Sequence, residues 1–418
     1  MNANKEESQP KIAFGSFSAT DRAKQYIGEV LDSGRLSYGN FSRAFEEEIA
    51  AKHDARFAVC CNSGTSALHM TLACLMETEG WREGDEVLVP AITFVATSNM
   101  VLLCGLEPVF VDVDPYTYNI DPAQIEKKIT ARTRAIMPVH LFGLPCAMDS
   151  IMDIAARHDL RVIEDSAETM FARYKGKSVG SFGDIACFST YVGHMLATGV
   201  GGLALTDNPE YVEVLRSFAH HGRDPMYTNI DDMGDSKEAR SEIPSHRFRF
   251  VRFGHSFRIT ELEAALGLAQ LEEADSMVER RKRNAARLTT GLEEYSRYLQ
   301  LPRVPQDRDH VFMVFPIVVC DTTVDRNELI SFLEDRGIET REMMPLLSQP
   351  IYIERFGDIL DQYPVAQNIE HNGFFIGCHP ELEHGDIDYI IEQFAAFFAA
   401  RQPLAAAVTP SEEIAATI

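Results

Sequence analysis

The chain has 418 residues, 45% of them hydrophobic, which is enough for two or three domains with a substantial core. A formal net charge of −24 excludes broad affinity for nucleic acid or anionic membrane, because both need a basic face; an anionic small substrate remains open if arginines cluster locally. No apolar run approaches the ~20 residues of a membrane span, and residues 1–10 lack the apolar core of a signal peptide, so a cytoplasmic protein is expected. The eight cysteines are scattered with no C-x-x-C, which points to reduced thiols packed as small hydrophobes and to no metal site.

Residues 1–13 read as a flexible leader. Helical spacing follows over 21–31 and again over 41–51, separated by the breaker Ser37-Tyr38-Gly39-Asn40. Residues 56–61 are β-rich and end in Asn62-Ser63-Gly64-Thr65, after which the pattern turns helical. A strand feeding a helix through a Gly-containing turn offers free N–H groups and a helix dipole that suit a phosphate; equally, Ser and Thr cap helices for structural reasons alone.

Residues 86–90 form a buried strand, with a helix starting at about Thr93 and Phe94 at the junction, where a lone Phe reads as core packing. Strands over 107–114, 135–140 and 160–165 alternate with helices over 122–129 and 148–158. This alternation predicts a mainly parallel, doubly wound α/β sheet, whose ligands collect beyond the carboxyl ends of its strands. Asp165 closes one such strand, where it could also cap the next helix, and Glu168 follows three residues later. A second carboxylate so near would have its pKa raised by the first.

A strand at 203–206 and a helix at 211–218 lead into His220-His221-Gly222-Arg223-Asp224. Residues 226–244 read as a flexible surface loop, and 246–259 concentrate arginines in an otherwise acidic chain. Residues 260–294 read as one long amphipathic helix, straight or bent, bridging from a large domain at 14–260 into a smaller α+β domain at 261–401. In that domain a strand (311–319), a helix (326–336), a strand (338–342) and a final helix (386–400) precede an Ala- and Pro-rich tail at 402–418, expected to be disordered.

Residues 188–202, FSTYVGHMLATGVGG, resemble the lysine loop of the DegT/DnrJ/EryC1/StrS sugar aminotransferases, pyridoxal-phosphate (PLP) enzymes of fold type I. In that family a serine, a lysine and a Gly-Gly turn follow a short strand, and the lysine holds PLP as a Schiff base. Here the serine is Ser189, the turn is Gly201-Gly202 and the lysine position is His194, which cannot form an imine with an aldehyde. The resemblance continues in Ser63-Gly64-Thr65, Asp165, the H-G-R at 221–223 and Gly254-x-Ser256-x-Arg258, and it spans roughly 14–401.

It implies that Gly64, Thr65 and Ser189 bind the cofactor phosphate, that Phe94 stacks on the pyridine ring and that Asp165 keeps the ring nitrogen protonated. Ser256 replaces the asparagine that reaches the partner subunit's phosphate in a homodimer with shared active sites, and Glu168 replaces a glutamine at the ring hydroxyl. His221 is implied as a second acid or base, and Arg341 also falls in a family segment. Histidine at 194 marks the rarer sugar 3-dehydratases, which hold pyridoxamine phosphate (PMP) non-covalently and use the imidazole as acid and base. No cysteine cluster follows 220–224, where the iron-sulfur branch has its ligands, so the chain looks like the branch of GDP-4-keto-6-deoxymannose 3-dehydratase. There the substrate is a nucleotide-linked keto sugar and glutamate restores PMP. An aminotransferase with an unorthodox acid-base residue, a non-catalytic relative and an introduced substitution remain as other readings.

Overall fold

In a computed structural model, residues 12–37, 39–224 and 248–401 are described. The loop expected at 226–244 and the tail at 402–418 lie outside them. The first part of the chain contains α1 (Asp21–Ser33), α2 (Asn40–Lys52), β1 (Phe57–Cys61), α3 (Gly64–Glu79), β2 (Glu86–Pro90), α4 (Val95–Leu103) and β3 (Glu107–Val111). Then come α5 (Pro122–Ile125), β4 (Thr133–Ile136), α6 (Met148–His158), β5 (Arg161–Asp165), a small hairpin of β6 (Arg173–Tyr174) and β7 (Lys177–Ser178), β8 (Ile185–Ser189), β9 (Gly202–Thr206) and α7 (Pro209–Ala219).

Seven of these strands form one sheet in the order β1-β9-β8-β5-β4-β2-β3. Only β9 runs against the rest, pairing antiparallel with β1 on one side and β8 on the other. The sheet is buried on both faces, and its side chains alternate between two cores. Val87, Val89, Ala135 and Ile163 face one apolar cluster, while Leu88, Ile136 and Val162 face the other. This period-2 partition explains why these strands read as continuous apolar runs.

The smaller unit has a four-stranded sheet of β10 (Leu299–Gln300), β11 (Val314–Val319), β12 (Thr340–Glu342) and β13 (Gly373–Gly377), in the order β10-β11-β13-β12. Helices Arg326–Glu334 and His384–Ala399 pack on it. The bridge into it is two helices rather than one, Glu261–Leu271 and Ala274–Leu292, with Glu272 and Glu273 between. The first packs on α1 and α2 of the large domain. Within the second, Val278 joins the large core and Ala285, Leu288 and Leu292 join the small one, so that helix touches both cores.

Ile12 falls within the stretch read as a flexible leader, yet it is fully buried in the small domain's core. Its N–H donates to Gly337 O at 2.8 Å, and its carbonyl accepts from Glu339 N–H at 2.9 Å. Among the described residues no helix is long and apolar enough to cross a membrane.

Candidate functional site

A cavity of about 810 Å³ opens at the carboxyl ends of the parallel strands. Its walls include Gly64, Thr65, Phe94, Asp165, Glu168, Ser189 and His194, which are seven of the nine site residues expected from the sequence. The other two, His221 and Ser256, do not line it. Both are exposed on a surface segment where His220 and Ser256 form an isolated bridge, and Arg258 donates to Ser256 Oγ at 2.9 Å.

One end of the cavity is the start of α3. Ser63 caps that helix by accepting from Ser66 N–H at 3.0 Å, which leaves the first-turn N–H groups of Gly64 and Thr65 facing the cavity with the positive end of the helix dipole. Glycine is needed at two positions by close approach. A Cβ on Gly64 would lie 2.8 Å from Ser189 Cβ, and one on Gly202 would lie 2.3 Å from the Ser63 carbonyl carbon. Thus the Gly-Gly turn after the His194 loop and the glycine of S-G-T bring β8, β9 and the α3 terminus together, with the Ser189 hydroxyl beside the open N–H groups. This is a cradle for an anionic group.

Asp165 ends β5, buried at 3% exposure. Its Oδ2 accepts from Thr97 Oγ1 at 2.8 Å and its Oδ1 from Ala167 N–H at 3.2 Å. Thr97 has one hydroxyl proton and gives it to the carboxylate, so Thr93 Oγ1, 2.8 Å away, donates to Thr97. Burial raises the Asp165 pKa against the pull of these bonds, leaving a carboxylate suited to a cationic partner in the cavity. Sequence reasoning missed Thr93 and Thr97. Their four-residue spacing across the start of a helix, beside Phe94, was the available signal. Phe94 itself is 59% exposed and borders the cavity, so its role is not core packing.

Glu168 Oε2 accepts from Phe142 N–H at 2.8 Å. Burial, with Asp165 adding to it, pushes this carboxyl up to about 7. Such a group favours the folded state while it keeps its proton, so its contribution falls as pH rises from about 4.5 to about 7 and then levels off. Glu168→Gln is expected to remove that fall. Relative to the parent, the variant gains about 3 kcal/mol of stability at pH 8 and nothing at pH 4, as read by urea unfolding across this range. Equal differences at both pH values would contradict the assignment.

The His194 loop leaves β8 and returns to β9 with its neck closed by Thr190 N–H to Gly201 O (3.0 Å), Thr198 N–H to Thr190 O (2.8 Å) and the Thr190–Thr198 hydroxyl pair (2.6 Å). His194 N–H donates to Tyr191 O at 2.9 Å, and the ring of Phe14 covers Gly193. The imidazole Nδ1 is buried without a hydrogen-bond partner. Burial lowers its pKa to about 4, so the ring is neutral at pH 7 and able to accept a proton. None of the described residues lining the cavity is a lysine. Lys175 and Lys177 lie on the β6–β7 hairpin, the first ion-paired to Asp149 and the second donating to Ser181 O at 2.6 Å.

Taken together, a glycine cradle with no room for a Cβ, a buried carboxylate and an unpartnered imidazole nitrogen around one cavity fit a phosphorylated pyridine. Gly64, Thr65 and Ser189 would hold its phosphate, Asp165 its ring nitrogen and Phe94 its face.

Comparison with known proteins agrees with this geometry. Residues 18–395 match the DegT/DnrJ/EryC1/StrS aminotransferase family. The chain is 34% identical over 385 residues to GDP-perosamine synthase of Caulobacter vibrioides, covering 91% of this chain and 97% of that protein. It is 33% identical over 378 residues to a dTDP-4-dehydro-2,6-dideoxy-D-glucose 3-dehydratase of Saccharopolyspora spinosa, covering 87% and 82%. Among solved structures, the Escherichia coli GDP-4-keto-6-deoxy-D-mannose-3-dehydratase with bound hydrated PLP superposes with a TM-score of 0.81 at 27% identity, over 92% of this chain and 99% of that one.

Proposed function

Because the chain belongs to the DegT/DnrJ/EryC1/StrS aminotransferase family of PLP-dependent, sugar-modifying enzymes, we propose that it is a 3-dehydratase, removing the C3 hydroxyl of a nucleotide-linked 4-keto-6-deoxyhexose with glutamate as amino donor. The observation that carries this reading is His194: an imidazole lines the cavity at the family's lysine position, and no described lining residue offers an amine in its place.

Bound PMP supplies an amine for the substrate ketone and, through its protonated ring, a sink for the electron pair left when a proton departs. Asp165, fixed by Thr97 and the Ala167 N–H, would stabilise that ring charge. Phe94 supports the ring face, and the α3 terminus with Ser189 anchors the phosphate. The neutral imidazole of His194 takes a proton and then returns it to the hydroxyl leaving C3, so that water departs rather than hydroxide. Histidine cannot form an imine, so position 194 would leave the cofactor's amine form free for the substrate ketone.

The enzyme works as a homodimer in which Ser256 and Arg258 reach the partner's cofactor phosphate. Support comes from the exposed aromatic side chains beside them, with Phe248 at 82% and Phe253 at 100% exposure, more apolar surface than a monomer keeps without cause.

A second reading, transfer of nitrogen to the C4 ketone, is favoured by the similarity to GDP-perosamine synthase. Incubating the protein with PMP, glutamate and a panel of nucleotide-linked 4-keto-6-deoxyhexoses, followed by product masses, separates the two. A 3-deoxy ketose with release of ammonia is the expected result. An aminosugar, or no turnover across the panel, would overturn the dehydratase reading.

A further inference from the structure

Arg281, on the helix Ala274–Leu292, is a buried cation at 4% exposure whose hydrogen bonds go to backbone carbonyls. Nη1 donates to Met313 O at 2.7 Å, Phe312 O at 3.2 Å and Cys378 O at 3.5 Å, and Nη2 donates to His194 O at 3.5 Å. Its Nε has no hydrogen-bond partner. Among the described residues it forms no ion pair, whereas most buried charges in proteins are paired. Carbonyls accept from neutral N–H groups as well as from charged ones, and neutral donors would avoid much of the desolvation cost. The charge therefore needs a reason of its own, and the segment it sits behind is the loop that carries His194.

We infer that Arg281 is a positioning residue for His194: its N–H groups tie the loop carbonyl to those of two segments behind it, and it sets a buried positive charge, with no ion-pair partner among the described residues, behind the imidazole-bearing loop. The inference rests on the reading of His194 as the acid-base group. Burial is the largest cause of the lowered His194 pKa, the nearby Ser189 backbone opposes it, and the Arg281 charge adds to it. Burial also lowers the guanidinium, to about 10, so it is still charged at pH 7. The other titratable groups lining the same cavity are Asp165 and Glu168 from the β5 end, Arg341 and Glu342 from β12, and Tyr191, which meets the imidazole edge-on with ring centroids 6.0 Å apart. Burial, with the Arg281 charge adding to it, also lowers the His379 pKa, to about 4.

The test is an NMR titration of histidine-labelled full-length protein, with and without PMP, using His194→Asn to assign the resonance. In the unsubstituted protein the ring should stay neutral down to about pH 5 or below. Arg281→Gln keeps N–H donors for the carbonyls and removes the charge, and the His194 midpoint should rise by about one pH unit. Arg281→Lys keeps the charge and should leave the midpoint near its original value, a rescue that a purely structural role does not predict. An unmoved midpoint in Arg281→Gln overturns the inference. Should that variant fail to fold, Arg281→Met, which keeps the aliphatic stem without the charge, decides by the same midpoint: a rise supports the inference and an unmoved midpoint overturns it. The titration is indifferent to which product forms, so its failure is distinct from failure of the dehydratase reading.

Discussion

The variant His194→Lys is expected to lose C3 deoxygenation by about 10²-fold to 10⁴-fold and to hold its cofactor covalently. The site is prepared for an amine. Burial lowers the pKa of any base at position 194, and the Arg281 guanidinium behind the loop would lower that of an ammonium for the same reason, so a large share of the lysine would be neutral and nucleophilic at pH 7. Once the cofactor is bound to the chain, its amine form is no longer standing free for the substrate ketone. Two measurements check this: product masses with glutamate and keto sugar, and intact-protein mass after borohydride reduction, which retains a cofactor adduct only where an imine was present. Deoxygenation at the parent rate would contradict the role given to the imidazole.

Asp165→Asn is expected to reduce turnover by roughly 10²-fold to 10³-fold with a smaller loss of cofactor affinity. The amide is nearly isosteric, but it removes the charge that favours a protonated ring nitrogen, and its NH₂ cannot accept. One of the two bonds now given by Thr97 and the Ala167 N–H is therefore lost as well. The cradle of Gly64, Thr65 and Ser189 proposed for the phosphate is untouched, which is why binding is expected to suffer less than rate. Turnover at saturating PMP, set beside PMP affinity from fluorescence, separates the two effects. An equal fall in both would mean that Asp165 only binds.

Much of this was readable before any coordinates, for physical reasons that differ from element to element. Strand β2 was found at its true bounds because a segment buried on both faces is uniformly apolar, and α6 because its spacing is strongly amphipathic. Residues 260–294 read as one helix because nothing but Glu272-Glu273 separates the two, and neither residue is a helix breaker. Strand β13, GFFIG, was not identified, since a short apolar run between glycines carries no periodicity of its own, although it is an interior strand of the small sheet. At the site, the motif residues were legible because their spacing is local. Arg281 was not: within Glu279-Arg280-Arg281-Lys282-Arg283 it looks like its neighbours, and only the packing of three distant carbonyl-bearing segments sets it apart.

The short bridge from Ile12 to Ile338 also constrains the order in which the polypeptide takes shape as it leaves the ribosome. Phe14, whose N–H donates to a Glu339 carboxylate oxygen at 2.9 Å, is made 325 residues before its partner. The seven-stranded half can close on itself meanwhile, whereas the amino end must wait, unmatched, until residue 339 has been made. Because Phe14 lies over Gly193 and lines the cavity, that late pairing is also what finishes one wall of the chamber.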